Sequence, residues 1–431
     1  MLIKGEKEGD MVPTNAALYK KLKGCIEDAC RDSLSWRPHT TKFKNLVNSI
    51  LAEEIVCRNI KWWSPDRPLA DEAEAWVNHF FEGYQEETQD GLVWNAGAFD
   101  RVYCKIEEFL YQDPYESHFL SPLLSFSCDS TAPVELEADV YIREPDERLL
   151  YILRNQQMVV YSSSLDNWVV DIVIKQPKPV ERQSPDSYAN KASGKVRTVL
   201  QSLRLLHKGK VFVGPLCYLI YPEFAGVKRN MGALHDTDMA PLPLTHPSYF
   251  RIDYQLGEQE VEELKTIYRL MTKESSHYPT HFELALSRFN DYFRRTSEQD
   301  GLLDLVIALE ALFAGVNQEI GYRLAIRGSY FLEEADIKER SDTFDKLRCI
   351  YDIRSSIVHG NPKLGRKLQS KVRKLWGPDD SEAVVSAIHD AADYARRAIR
   401  KVIVEKHLGK FREHPEDWQR FLDSVVLKGS D

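Results

Sequence analysis

The sequence predicts an α+β protein, with an N-terminal mixed helical and antiparallel-sheet region followed by a C-terminal all-α bundle. Three observations carry this. Across residues 1–112 apolar side chains recur three and four apart. Residues 113–256 turn to short runs rich in Val, Ile and Tyr, broken by Asp, Asn and Ser. From Gly257 onward the helical period returns and is not interrupted by a strand pattern.

In chain order, the first helices are read from "NAALYKKLKGCIEDACRDSL", "KFKNLVNSILAEEIVCR", "DEAEAWVNHFFEGY" and "AFDRVYCKIEEFLYQ". Strands are read from "VELEADVYIR", "RLLYILRN", "QMVVYSS" and "NWVVDIVIK". A helix, "KASGKVRTVLQSLRLLHKG", separates them from further strands in "KVFVGPLCYLIYP" and "YFRIDYQL". The Pro-, Gly- and Met-rich stretch Glu223–Pro247 reads as a long loop, and 257–275 as a connecting helix. The bundle, 276–431, follows with "HFELALSRFNDYFRRT", "DGLLDLVIALEALFAG", "QEIGYRLAIRGSYFLEE", "IKERSDTFDKLRCIYDIRSSIVHG" and "SEAVVSAIHDAADYARRAIRKVIVEKH". Short connections favour antiparallel neighbours. The predicted division is therefore 1–275, helical over 1–112, sheet-rich over 113–256 and ending in the connecting helix 257–275, followed by the helical bundle 276–431.

The chain has 431 residues, 43% of them apolar, enough for a large core. Its net charge of −9 does not by itself suggest a nucleic-acid partner. The charge is uneven: 1–275 carries 32 Lys and Arg against 41 Asp and Glu, and 276–431 carries 25 against 25. The seven cysteines are odd in number and form no C-x-x-C pair, which fits a reducing cytosol rather than a disulfide framework or zinc ribbon. Met1–Asn15 is polar, with no signal-peptide core, and the longest apolar segment, "LLDLVIALEALFAGV", carries two carboxylates and is too short to span a bilayer. A cytoplasmic protein with no membrane association is expected.

The informative stretch is Tyr351–Pro362, "YDIRSSIVHGNP". At about 100° per residue, Phe344, Leu347, Ile350, Tyr351, Ile353, Ile357 and Val358 share one arc, and Arg354 falls inside it. A charge withdrawn from water costs several kcal/mol unless paired. Arg354 therefore needs a buried carboxylate, or an arc that opens on a cleft or a partner. Glu310, in the middle of a nearly all-apolar helix, supplies the carboxylate, and that helix is expected to be buried all round. Arg327 raises the same question on the seam Ile320, Leu324, Arg327, Phe331, where a structural role is the simpler reading.

Gly360 and Pro362 end the helix, so His359 sits in its last turn. There it either caps carbonyls or serves as a near-neutral acid–base group. Lys363, Arg366, Lys367, Lys371, Arg373 and Lys374 follow without one acid, as a solvated basic turn or a phosphate-binding patch. Other constellations are weaker. Pro279 interrupts the His277/His281 pair, and His235–Asp238 has no matching ligand cluster. His389 and Asp390, with Asp393 and Arg396, read as a solvated face. Trp62 and Trp63 are core or a recognition surface. No metal site and no cofactor is expected.

Arg354-Ser355-Ser356-Ile357-Val358-His359 is an R-x4-H motif near the end of a helix. With "ALSRFNDYFRR", "DGLLDLVIALEALF" and "YRLAIRGSYFL" in this order and spacing, it resembles the HEPN superfamily, in particular the HEPN domain of ApeA-type bacterial anti-phage proteins. The resemblance covers residues 276–410. It implies a metal-independent endoribonuclease acting as a homodimer, with RNA (tRNA among the candidates) as substrate and the R-x4-H motifs of two protomers in one cleft. His359 would be the general acid–base group and Arg354 would bind the scissile phosphate. Glu310, Ser355 and Arg327 would support them. Many members carry Asn, Asp or His after the arginine, where this chain has Ser355. The resemblance also implies abortive-infection defence, with a phage-derived trigger sensed by 1–275. The competing reading is a non-catalytic HEPN module that binds nucleic acid or assembles a complex.

Overall fold

The computed structural model describes residues 13–32, 40–63, 68–88, 92–145, 168–176, 185–214, 216–221, 253–274, 278–315, 319–333, 336–359, 365–408 and 415–428. The expected strands within 148–163 and the loop Glu223–Pro247 lie outside them. The α+β class is observed, with a small, mainly antiparallel sheet in the N-terminal half and helices throughout the C-terminal half.

Two compact units interleave along the chain. One comprises residues 1–120, 171–193 and 216–234, the other 121–170, 194–215 and 235–431. The division passes through strands and a helix rather than through the expected boundary at 275/276.

The first unit holds helices α1 (Ala16–Arg31), α2 (Thr41–Leu51), α3 (Glu54–Trp63), α4 (Leu69–Thr88) and α5 (Ala96–Tyr111). Side-chain caps start three of them: Asn15 accepts from the Leu18 N–H, Thr40 from Phe43 and Asn95 from Ala98. Their apolar stripes meet in one core that includes Leu18, Ile26, Phe43, Val77, Phe80 and Phe99. The side chains of Trp62 and Trp63 lie outside the described residues.

The main sheet has the order β3 (Val134–Glu137), β4 (Val140–Arg143), β5 (Trp168–Gln176), β1 (Tyr115–Leu124), β6 (Phe212–Val213), with β7 (Cys217–Tyr221) also pairing with β1. Pairings of β1 with β6 and β7, and of β3 with β4, are antiparallel. A separate parallel pair joins β2 (Phe126–Cys128) to β8 (Tyr254–Leu256), a pairing not anticipated from the strand pattern.

Helix α6 (Pro185–Leu206) crosses the division at 193/194, and its second-unit part is tied to the bundle by Arg204. This arginine is 3% exposed, donates to the Val211 carbonyl and the Asn290 side chain, and lies over the Phe293 ring. Helix α7 (Val261–Glu274) leads into α8 (Thr280–Tyr292), α9 (Glu298–Phe313), α10 (Ile320–Leu332), α11 (Ile337–Val358), α12 (Arg366–Trp376), α13 (Asp380–Val404) and α14 (Pro415–Lys428). Helix α9 packs against α8, α10, α11 and α13, and α13 packs against each of α7 to α12. Ser297, Asp336 and Asp379 cap α9, α11 and α13. No described helix is long and apolar enough to cross a membrane.

Two bundle helices were not read from the sequence. The run expected to be a basic turn folds as α12, amphipathic because Val372 is buried and Leu368, Leu375 and Trp376 are half-buried. Helix α14 packs on α10 through Trp418 and Leu422, with the Trp418 indole N–H donating to the Leu312 carbonyl.

Candidate functional site

Helix α11 carries Arg354 and His359, and burial along it changes toward its C-terminal end. Leu347, Ile350 and Ile353 are buried. Tyr351, Arg354 and Ile357 are half-buried, and Val358 is 53% exposed. The apolar arc is thus closed in mid-helix and open over its last two turns, where Arg354 lies.

Helix α9 differs from its expected all-round burial. Leu302, Leu305, Val306, Leu309, Leu312 and Phe313 are buried, while Leu303, Ile307, Glu310 and Ala311 form a half-buried stripe. Glu310 lies on that stripe and reaches Arg354, with 3.8 Å between its Oε2 and Arg354 Nη2. The two side chains are 21% and 26% exposed, so the pair is neither fully buried nor tightly closed. Burial pushes the Glu310 carboxyl up from its usual range, and Arg354 offsets this only in part.

Among the described residues Arg354 Nε is buried with no hydrogen-bond acceptor. Its guanidinium carbon stands 6.0 Å from the Tyr351 ring centroid. The partly exposed guanidinium, held by one loose ion pair, can meet an anion at its Nη groups without breaking a close bond, while the buried Nε–H is an unsatisfied donor.

His359 is exposed and is the C-cap of α11, its backbone N–H bonding to the carbonyls of Ser355 and Ile357. Ser355 is half-buried and in this role supports the turn that carries His359. His359 lies five positions after Arg354, about 7.5 Å of helix rise.

Arg327 is engaged within the bundle. It is 4% exposed; Nε donates to Asp423 of α14 at 2.8 Å, and Nη1 donates to the carbonyls of Phe313 and Ala314. It satisfies carbonyls at the C-terminal end of α9.

The basic residues divide as well. Arg366, Lys367, Arg373 and Lys374 are exposed on α12. Lys371 is half-buried, with its Nζ 3.4 Å from Asp352 of α11, which ties α12 to the helix bearing the motif. Lys363 lies outside the described residues.

The face of α13 expected to be solvated is so at His389, which is exposed, whereas Asp390, Asp393 and Arg396 are half-buried. Asp390 accepts from the Trp376 indole and pairs with Lys346, and Asp393 binds Arg396, which also donates to the Leu205 and Leu206 carbonyls. His281 is exposed at the start of α8. His277 and His235–Asp238 lie outside the described residues, among which no His, Cys, Asp and Glu group is arranged to hold a metal ion.

Sequence reasoning overlooked Asp304, 2% exposed on α9, which takes Arg288 at 3.0 Å and Arg295 at 2.5 Å. The signal was present as a second carboxylate in an apolar helix facing an Arg-rich neighbour. It also overlooked a groove beside Tyr351, lined by Glu319, Ile320, Gly321, Tyr322 and Arg348.

No protein-family model, no curated protein and no solved structure matches this chain.

Proposed function

We propose that the chain is a metal-independent endoribonuclease of the HEPN type, acting in the cytoplasm as a homodimer in bacterial anti-phage defence. The observation that supports this reading is a partly exposed, loosely paired Arg354 on the helix that ends at an exposed His359. The opening of the apolar arc at Arg354 and the exposed basic face of α12 support it.

In this reaction His359 removes the proton from a ribose 2′-OH. The 2′ oxygen attacks the adjacent phosphorus, and the bond to the 5′ oxygen breaks. The leaving oxygen takes a proton from an imidazolium, which the second protomer's copy of His359 would supply. The products are a 2′,3′-cyclic phosphate and a 5′-OH end. Arg354 stabilises the charge that gathers on the non-bridging oxygens. Arginine and histidine suffice for each step, so a metal ion is not required. Half-buried Leu303, Ile307 and Ile357, with exposed Val358, offer the second protomer an apolar surface beside the motif. Residues 1–275 would receive the phage-derived trigger.

The test is incubation of purified protein with total RNA and with DNA in excess chelator, followed by analysis of product ends. Cleavage of RNA alone, leaving cyclic phosphate, is the expected result, since DNA lacks the nucleophile. His359→Ala should abolish cleavage while changing stability by no more than about 0.5 kcal/mol, because the side chain is exposed. Mixing wild type with excess His359→Ala subunits should suppress activity beyond dilution. RNA binding without cleavage would favour the non-catalytic module.

A further inference from the structure

The groove beside Tyr351 is made by α10 and α11, has a volume of about 730 Å³ and lies open to solvent. Its floor exists because residue 321 is glycine. A Cβ there would come within 2.5 Å of Tyr351 Cδ1 and 2.9 Å of Arg348 Nη1, so a bare backbone lets both side chains lie across α10. Its wall is Tyr322, 49% exposed, held edge-on to Phe344 at 5.9 Å between centroids. Ile320, 37% exposed, adds apolar surface. Arg348 is 39% exposed and held only loosely, with Nε 3.9 Å from Asp352.

Two exposed or half-exposed tyrosine rings beside a loosely held guanidinium form a stacking platform, and base faces are what such platforms hold. The remaining lining group, Glu319, is exposed and acidic. A carboxylate repels phosphate and accepts N–H donors, so it places a base rather than backbone at that end. Guanine is the base whose pairing edge offers two adjacent N–H donors.

The groove and the proposed reaction site share Tyr351. Tyr351 lines the groove and also stands beneath Arg354. At about 100° per residue, Arg348, Tyr351, Ser355 and His359 share one side of α11, so the groove and His359 lie along one track. We infer that this groove is a subsite for one unpaired RNA base, guanine by preference, stacked on Tyr322 and held at its edge by Glu319, near the phosphate that Arg354 receives. This rests on the nuclease reading for its substrate, yet binding can be measured without cleavage.

The experiment uses full-length His359→Ala protein and fluorescent single-stranded oligouridylates carrying one central guanine, inosine, adenine or uracil. Guanine should bind tightest. Tyr322→Ala should weaken binding roughly tenfold, the loss expected for one stacked base, and Tyr322→Phe should retain it. Glu319→Gln should erase the advantage of guanine over inosine, which lacks the exocyclic amino group. Unchanged affinity in Tyr322→Ala, or equal affinity for all four oligomers, overturns the inference. So does a Tyr322→Ala effect confined to dimerisation in sedimentation, which would make the groove a contact between protomers. Wild-type cleavage that ignores Tyr322 would overturn the subsite and leave the nuclease standing. Tyr322-dependent binding with no wild-type cleavage would do the reverse.

Discussion

Arg354 and Glu310 face each other at 3.8 Å, about 1 Å longer than a hydrogen-bonded ion pair of arginine and carboxylate. The pair is close enough to orient the guanidinium and too long to saturate it. Double-mutant cycles on Glu310→Ala and Arg354→Ala should therefore return a coupling below about 1 kcal/mol, well short of a closed buried pair. A larger coupling would mean the pair closes in solution and Arg354 is a bundle strut.

The Glu310 carboxyl is pushed up from its usual value of 4.5 by burial, so its protonated form folds more favourably than its ionised form. That contribution is fully present below the unfolded-state pKa and is lost as pH rises through the folded-state value. At pH 7 Glu310 is therefore a cost. Glu310→Gln should be at least as stable as wild type at neutral pH, and the difference should vanish below about pH 4. Urea unfolding of both proteins across that range is the check; a Gln variant weaker at pH 7 and equal at low pH reverses the sign.

Arg327 and Asp423 should behave asymmetrically. Arg327 is buried and Asp423 is 57% exposed. Arg327→Ala removes the donors of the Phe313 and Ala314 carbonyls and should cost about 3 kcal/mol. Asp423→Ala leaves Arg327 its carbonyl partners and nearby water, and should cost less than about 1 kcal/mol. Equal losses in thermal melts would show that the carboxylate, not the helix end, is what Arg327 serves.

Asp304 is the reverse case, a buried carboxylate shared by Arg288 and Arg295, which are 36% and 43% exposed. Both arginines can turn to water when it is removed. Asp304→Ala should then destabilise by about 2 kcal/mol, less than a fully enclosed triad. Asp304→Asn should lose less, since its oxygen still accepts one guanidinium. Chemical denaturation separates the two variants.

The exposed residues of α12 should govern the salt dependence of RNA binding rather than chemistry. Replacing Arg366, Lys367, Arg373 and Lys374 by Gln, one at a time, should reduce the slope of log K against log salt by about 0.7 for each single-strand phosphate that is no longer neutralised. Lys371→Gln should weaken the bundle more than these, because it releases Asp352 of α11. A slope that ignores all four would place the RNA elsewhere.

Much of the bundle was legible because its helices are long and their apolar residues keep a 3.6-residue period. Glu310 and Arg354 could be paired on paper, since two lone charges in adjacent apolar helices have few other partners. His359 could be placed at a helix end because Gly360 and Pro362 cannot prolong it. Helix α12 was misread: a run of cations without acids looks like solvated chain until Val372 finds a hydrophobic partner. Helix α14 went unread, and its position is set by what it covers, the seam carrying Arg327 and Phe331.

The sequence by itself determined most of the helical segments, α12 and α14 excepted, which positions are apolar, and that Arg354 and His359 share one helix. Tertiary structure alone decided how far the stripe of Leu303, Ile307 and Glu310 is left uncovered, which carbonyls Arg327 reaches, and that Gly321 admits the Tyr351 ring. The reason is physical. Periodicity is a property of one helix, whereas exposure, ion-pair length and a groove depend on the separation and rotation of two, and no local pattern encodes that distance.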